Sequence, residues 1–203
     1  MMALVSKDLY SARSGIGVIL LFAVVFGALF RDTWTGPMVV TLLFANIGNS
    51  TLTWDEQCQW NTFAVSSGIS RRTLVLSKFQ SGMVFVVVGA VVGLIVSAVF
   101  TYSGFSDIPL DQSIQGVVLG AIVSAAVMGV TVSVTYWTGD SAKAQYLSIG
   151  VMVVIIIALV AGSTILTDLI GASSILVAMV VLAVLMLAVT FTLSVRKLES
   201  RDL

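Results

Sequence analysis

The sequence predicts an all-α integral membrane protein of six transmembrane helices with both termini in the cytoplasm. Three observations carry this prediction. Of 203 residues, 58% are hydrophobic and 10% charged, with a mean hydropathy of +1.09, more apolar surface than one water-soluble domain of this length can bury. The ten Lys and Arg and the ten Asp and Glu fall in clusters, and six stretches between them carry no charge at all. The basic residues sit on alternate connections, as the positive-inside bias requires.

The stretches run, in order, over 15–30, 35–52, 79–102, 113–137, 144–166 and 173–195. A charge at mid-bilayer costs about 2.5 to 3.5 kcal/mol even on lenient insertion scales, so charged residues mark where spans end. At 1.5 Å per residue the last four stretches reach about 34 to 38 Å, enough for a hydrocarbon core of about 30 Å with some tilt. The first reaches about 24 Å and has to borrow Ser11 to Ser14 or thin the bilayer. The second ends in Asn46, Asn49, Ser50 and Thr51. With the termini inside, Lys7, Arg13, Arg71, Arg72, Lys78, Lys143, Arg196, Lys197 and Arg201 are cytoplasmic and Arg31 alone is external. The acids do not sort this way: Asp8, Asp55, Glu56, Asp140, Glu199 and Asp202 fall inside, and Asp32, Asp107, Asp111 and Asp168 outside. Acidic residues contribute little to the rule. Arg31 and Asp32 follow Phe30 with no small-residue cleavage site, so the first stretch is expected to be a span rather than a cleaved signal. Six spans leave no room for a soluble domain, and a single transmembrane domain over 1–203 is expected.

The composition also excludes function classes. Zero net charge and a pI near 6.1 leave no cationic excess for a polyanion, which argues against nucleic acid. No His is present and Cys58 is the single cysteine, so His-built metal sites, Cys-His nucleophiles and an intrachain disulfide are all excluded. Asp107 and Asp111 flank Pro109 and read as a solvated outer loop. No metal site and no catalytic site are expected.

Residues 53–78 form the one long cytoplasmic connection, and it carries both charges and aromatics. Thr53 and Glu56 have capping-box spacing and Asp55 suits a helix N-terminus, so a helix is expected to start there. Gly68 is placed to end it in the left-handed conformation, and Ser70 to cap a next helix through Arg71, Arg72 and Lys78. Trp60, Phe63 and Ala64 share one face at i, i+3, i+4 spacing, with Glu56 one turn earlier. Two readings stay open. The segment is either an interfacial helix with its tryptophans at headgroup level and Arg71, Arg72 and Lys78 on lipid phosphates, or a docking element that inserts into a groove on a soluble subunit. Within the spans, Gly89 with Gly93 and Gly116 with Gly120 have the spacing that lets helices approach closely. Asn46 and Asn49 read as interhelical hydrogen-bond glue or as residues lining a pathway. No internal repeat is visible.

The run Asp55-Glu56, then Trp60, then Ser67-Gly68-Ile69-Ser70-Arg71-Arg72, then Val75-Leu76-Ser77-Lys78-Phe79 resembles the segment after the second span in small type 2 ABC exporter permeases. There it often reads as an acidic pair, a tryptophan, leucine-proline-isoleucine-serine-arginine and valine-leucine-serine-lysine-tyrosine. The opening Lys7-Asp8-Leu9 and the closing run from Ser194 to Leu203 resemble that family's ends, and Gly68 stands where it usually has proline. The resemblance implies the membrane subunit of an ATP-driven exporter in the cell membrane, working as a homodimer or beside a similar chain. It also implies a coupling helix within 53–72 that rests in a cleft of a separate ATP-binding subunit. Asp55, Glu56, Trp60, Phe63, Arg71 and Arg72 are then the coupling residues. Lys78, Arg196 and Lys197 would anchor the chain at the lipid surface, and Asn46 and Asn49 would line the pathway. A Walker A motif needs Lys followed by Ser or Thr, whereas the four lysines precede Asp8, Phe79, Ala144 and Leu198. No cofactor is expected in this chain, and ATP and Mg would be bound by the partner. A peptide, amphipathic or lipid-like cargo is expected. The rival functions are a non-transporting scaffold or immunity subunit and a secondary transporter. Against the latter, every ionisable residue lies at a span end.

Overall fold

The computed structural model describes residues 2–31, 33–140, 142–144, 146–147, 149–150, 153–154 and 172–199, and among them the chain is all helical with no strand. The elements are α1 (Met2–Leu29), α2 (Thr35–Gln57), α3 (Trp60–Ser66), α4 (Arg71–Tyr102), α5 (Leu110–Thr138) and α6 (Ala172–Glu199). The described residues from 142 to 154 are also helical. Most of the expected stretch 144–166, and with it Asp32, Asp168, Arg201 and Asp202, lies outside the described residues.

Helix α1 bends by 64° between Met2–Arg13 and Gly15–Leu29. The bend falls at Ser14-Gly15, and a Ser/Gly step is a usual place for a helix to kink. Only the second limb coincides with the expected span 15–30. Helices α4 and α5 are long and apolar enough to cross a membrane, and the two limbs of α1 together would add a third such crossing. α5 is the more enclosed of the two, with 67% of its apolar window buried against 33% for α4.

The polar end of α2 is explained by its position. It packs against α1, α4 and α5 and buries more than half of its residues, Asn49, Thr51 and Asp55 included, so these side chains meet protein rather than lipid. Pro37 lies in its first turn, where a missing N–H costs nothing. The close approach to α2 is made by both glycine pairs. A Cβ at Gly89 would lie 2.7 Å from the Thr41 carbonyl oxygen, and one at Gly120 would lie 2.9 Å from that of Met38. Gly93 abuts the Thr41 hydroxyl and Gly116 the Trp34 carbonyl. The glycine pairs are therefore intramolecular packing. At the far end of the bundle, the Ser106 hydroxyl donates to the Arg31 carbonyl (2.5 Å) and the Arg31 guanidinium lies over the Phe105 ring. Asp107 and Asp111 are exposed there.

Candidate functional site: a charged corner at one end of the bundle

At the other end, the corner between α2 and α4 is built differently from the capping pattern in the sequence. α2 runs without a break through Thr53 and Glu56 to Gln57. No helix starts at Thr53: the Thr-x-x-Glu spacing lies in a helix interior, where each backbone N–H already has a carbonyl one turn earlier. The chain leaves α2 through Cys58 and Gln59. The latter holds a left-handed backbone (φ 51°, ψ 34°) and precedes α3 without a side-chain cap. For a residue with a Cβ that conformation costs roughly 1–2 kcal/mol, so the corner is a fixed turn rather than a relaxed loop.

The end of α3 follows the sequence expectation. Gly68 has φ +84°, its N–H donates to the Val65 carbonyl, and the Ile69 N–H donates to that of Ala64, both at 3.0 Å. This pair of bonds is a Schellman motif. A proline at this position would fix φ near −65° and remove one of the two donors, so the turn differs from the proline form of the family it resembles. Ser70 caps α4, its hydroxyl oxygen accepting from the Thr73 N–H at 3.2 Å. Arg71 and Arg72 then occupy the first turn of α4, where the helix dipole disfavours cations by about 0.3–1 kcal/mol each.

The expected shared face of Trp60, Phe63 and Ala64 divides. Ala64 is fully buried and seats α3 on the bundle, Phe63 is 60% exposed, and Trp60 is half-buried between them. The Trp60 and Phe63 rings lie 5.5 Å apart. Trp54 and Glu56 are exposed on the last turns of α2.

Beneath this corner lies a cluster that sequence reading dispersed among loops. The Lys78 ammonium donates to Asp8 Oδ1 (2.8 Å) and pairs with Asp55 Oδ2 (2.6 Å). Lys7 Nζ lies 2.5 Å from Asp55 Oδ1 and 3.2 Å from Asp8 Oδ1, and it also stands 4.4 Å from the centre of the Trp60 ring. Asp8 and Lys78 are buried (side chains 1% and 5% exposed), and Asp55 nearly so. Two cations and two anions make the group neutral, which offsets a desolvation cost of several kcal/mol per ion. Lys78 is thus not at the surface where lipid phosphates would meet it, and Asp55 faces inward rather than toward a partner. The only sequence signal for this was the pairing of Lys7-Asp8 with Asp55 and Lys78 on one side of the membrane; nothing in their spacing shows that they touch.

A cavity of about 180 Å³ borders the cluster, lined by Asp55, Asn61, Thr62, Lys78, Tyr136 and Leu198 among others. Tyr136 is buried, and its hydroxyl has no partner among the described residues. Leu198 packs with Leu52, Val75, Phe79 and Tyr136. The first limb of α1, the α2–α3–α4 corner, the end of α5 and the end of α6 therefore meet at one end of the bundle. Arg196 is exposed there, and Lys197 lies 5.3 Å from the Trp137 ring; both suit the C-terminal turn of α6. Past α5, Asp140 Oδ1 accepts from the Lys143 N–H (3.0 Å), and that bond holds its carboxyl below the usual carboxylate range. Asn46 and Asn49 are joined within α2, the Asn49 amide donating to Asn46 Oδ1 at 2.9 Å, with Asn46 exposed and Asn49 buried. Among the described residues they bond to each other and not across to a second helix.

Among known proteins, the family model described as ABC-2 family transporter protein matches residues 3–199. No curated protein matches the chain, and no solved structure does.

Proposed function

The chain belongs to the ABC-2 family of transporter proteins and is a multi-pass cell-membrane permease of an ABC transporter; from that premise we propose that the corner at α3 is its contact with a separate ATP-binding subunit. In this reading the chain has six spans with both termini in the cytoplasm, and two permease chains, identical or similar, enclose the pathway. ATP and Mg are held by the partner, whose closure pushes on the segment 53–72 and repacks the two bundles between inward- and outward-open states. Glu56, Trp60, Phe63, Arg71 and Arg72 form the contact, and Asp55 acts from behind it. Arg196 and Lys197 face lipid headgroups, and Asn46, exposed on α2, lines the pathway with Asn49 behind it. A peptide, amphipathic or lipid-like cargo fits a chain whose outer connections are short.

One observation carries this reading. α3 presents Phe63 outward, and Arg72 is exposed in the first turn of α4, where the helix dipole disfavours a cation; an exposed aromatic and an exposed cation on the two sides of the Gly68 turn are what an acid-bearing cleft would take. Co-purification with an ABC ATP-binding subunit, with ATP turnover measured in the complex, tests it. The wild-type chain is expected to bind and to change turnover. Phe63→Ala with Arg72→Glu, both at exposed positions, is expected to weaken binding by about tenfold or more, the scale of a truncated anchor and a reversed charge. A wild-type chain that neither binds nor changes turnover overturns it.

A further inference from the structure

The charged cluster joins residues far apart in the chain: Lys7 reaches Asp55 across 48 positions and Lys78 reaches Asp8 across 70. Apart from the neighbours Lys7 and Asp8, every pair in it links two different helices. Asp55 stands two residues before the end of α2, and Trp60 opens α3. One ammonium, that of Lys7, therefore holds both sides of the strained turn at Gln59, through the Asp55 carboxylate and the Trp60 ring. The other, that of Lys78, ties the same carboxylate to α4 and, through Asp8, to α1. A buried charge separated from its partner costs several kcal/mol, so the partners have to move together when the corner moves.

We infer that Lys7, Asp8 and Lys78 are positioning residues of the coupling segment: with Asp55 they lock the α2–α3 corner to α1 and α4, so that a displacement of α3 carries all three helices. This rests on the reading of α3 as the contact with the ATP-binding subunit. The cluster is a joint, and neither lysine is a lipid anchor.

The test uses the full chain, alone and in complex with the ATP-binding subunit. Cys58, exposed and single, lies at the corner and takes a nitroxide without other changes. Asp8→Leu combined with Lys78→Met exchanges a buried ion pair for apolar side chains, a change that proteins often tolerate or gain from. In that double variant the label is expected to become more mobile and ATP-subunit affinity to stay within about twofold, while permease-dependent ATP turnover changes by about fivefold or more, the lower end of common site-to-site coupling. Lys78→Arg has room in the adjoining cavity and a guanidinium that can serve both carboxylates; it is expected to restore wild-type mobility and turnover. Unchanged mobility and turnover in the double variant overturn the inference, as does a Lys78→Arg chain that behaves like the double variant. A wild-type chain whose label is restrained but which leaves ATP turnover untouched overturns the coupling reading, and the positioning role with it.

Discussion

Gly68 shows how a single backbone angle constrains what this corner tolerates. Its φ of +84° and the Gly68 N–H bond to Val65 are both incompatible with proline. Gly68→Pro is therefore expected to destabilise the corner by more than about 1 kcal/mol, read as faster amide exchange from Ala64 to Ile69; unchanged exchange would show that the turn adapts. No Cβ clash with a described residue complicates the site, because none of them lies within 4 Å of where one would be. This residue and the Ser70 cap were legible in the sequence, since each turn chemistry admits few residue types. Asp55 and Lys78 were not. A carboxylate and an ammonium at a span end read as surface groups, and only the packing of α1 against α2 and α4 turns them inward.

Among the elements, α2 defines the bundle. Its polar end sets it apart from the other expected spans, and the structure supplies the reason: Thr41, Asn49, Thr51 and Asp55 on it are buried against other helices. The Thr41 and Thr51 hydroxyls donate to the carbonyls of Pro37 and Gly48, so they are satisfied without water. The glycines that face it leave no spare volume. Gly120→Leu is expected to cost about 1–3 kcal/mol or more through overpacking, seen as a lower unfolding temperature in detergent, whereas Gly17→Leu, at a site with no described residue within 4 Å, is expected to be near neutral. Equal effects at both sites would contradict the packing described for α2. The helix start at Thr53 was misread from sequence because a capping box is a local pattern, and helix continuity is decided by what the next turn packs against.

For the whole molecule, helical membrane character was legible in the sequence, because lipid imposes it directly. The sequence did not show that the first limb of α1 bends away from the second and meets Asp55 and Lys78, since a bend has no hydropathy signature. The proposed orientation is checked at Cys58: an impermeant thiol reagent added to intact cells is expected to leave it unlabelled until the membrane is permeabilised, and efficient labelling from outside would invert the topology. The carboxyl of Asp140 is held low, so its contribution to capping the following helix is complete above the unfolded-state pKa and fades only as pH falls through the lower folded value.

The bond between Asp8 and Lys78 also sets a schedule for synthesis. Lys78 follows Asp8 by 70 residues, so at about 5–20 residues per second several seconds separate the emergence of the two from the ribosome. Until Lys78 is made, Asp8 lacks the ammonium that α4 brings to it. The seat of the first limb of α1 is completed only after α2 and the start of α4 have been made, so this segment is locked well after it is synthesised.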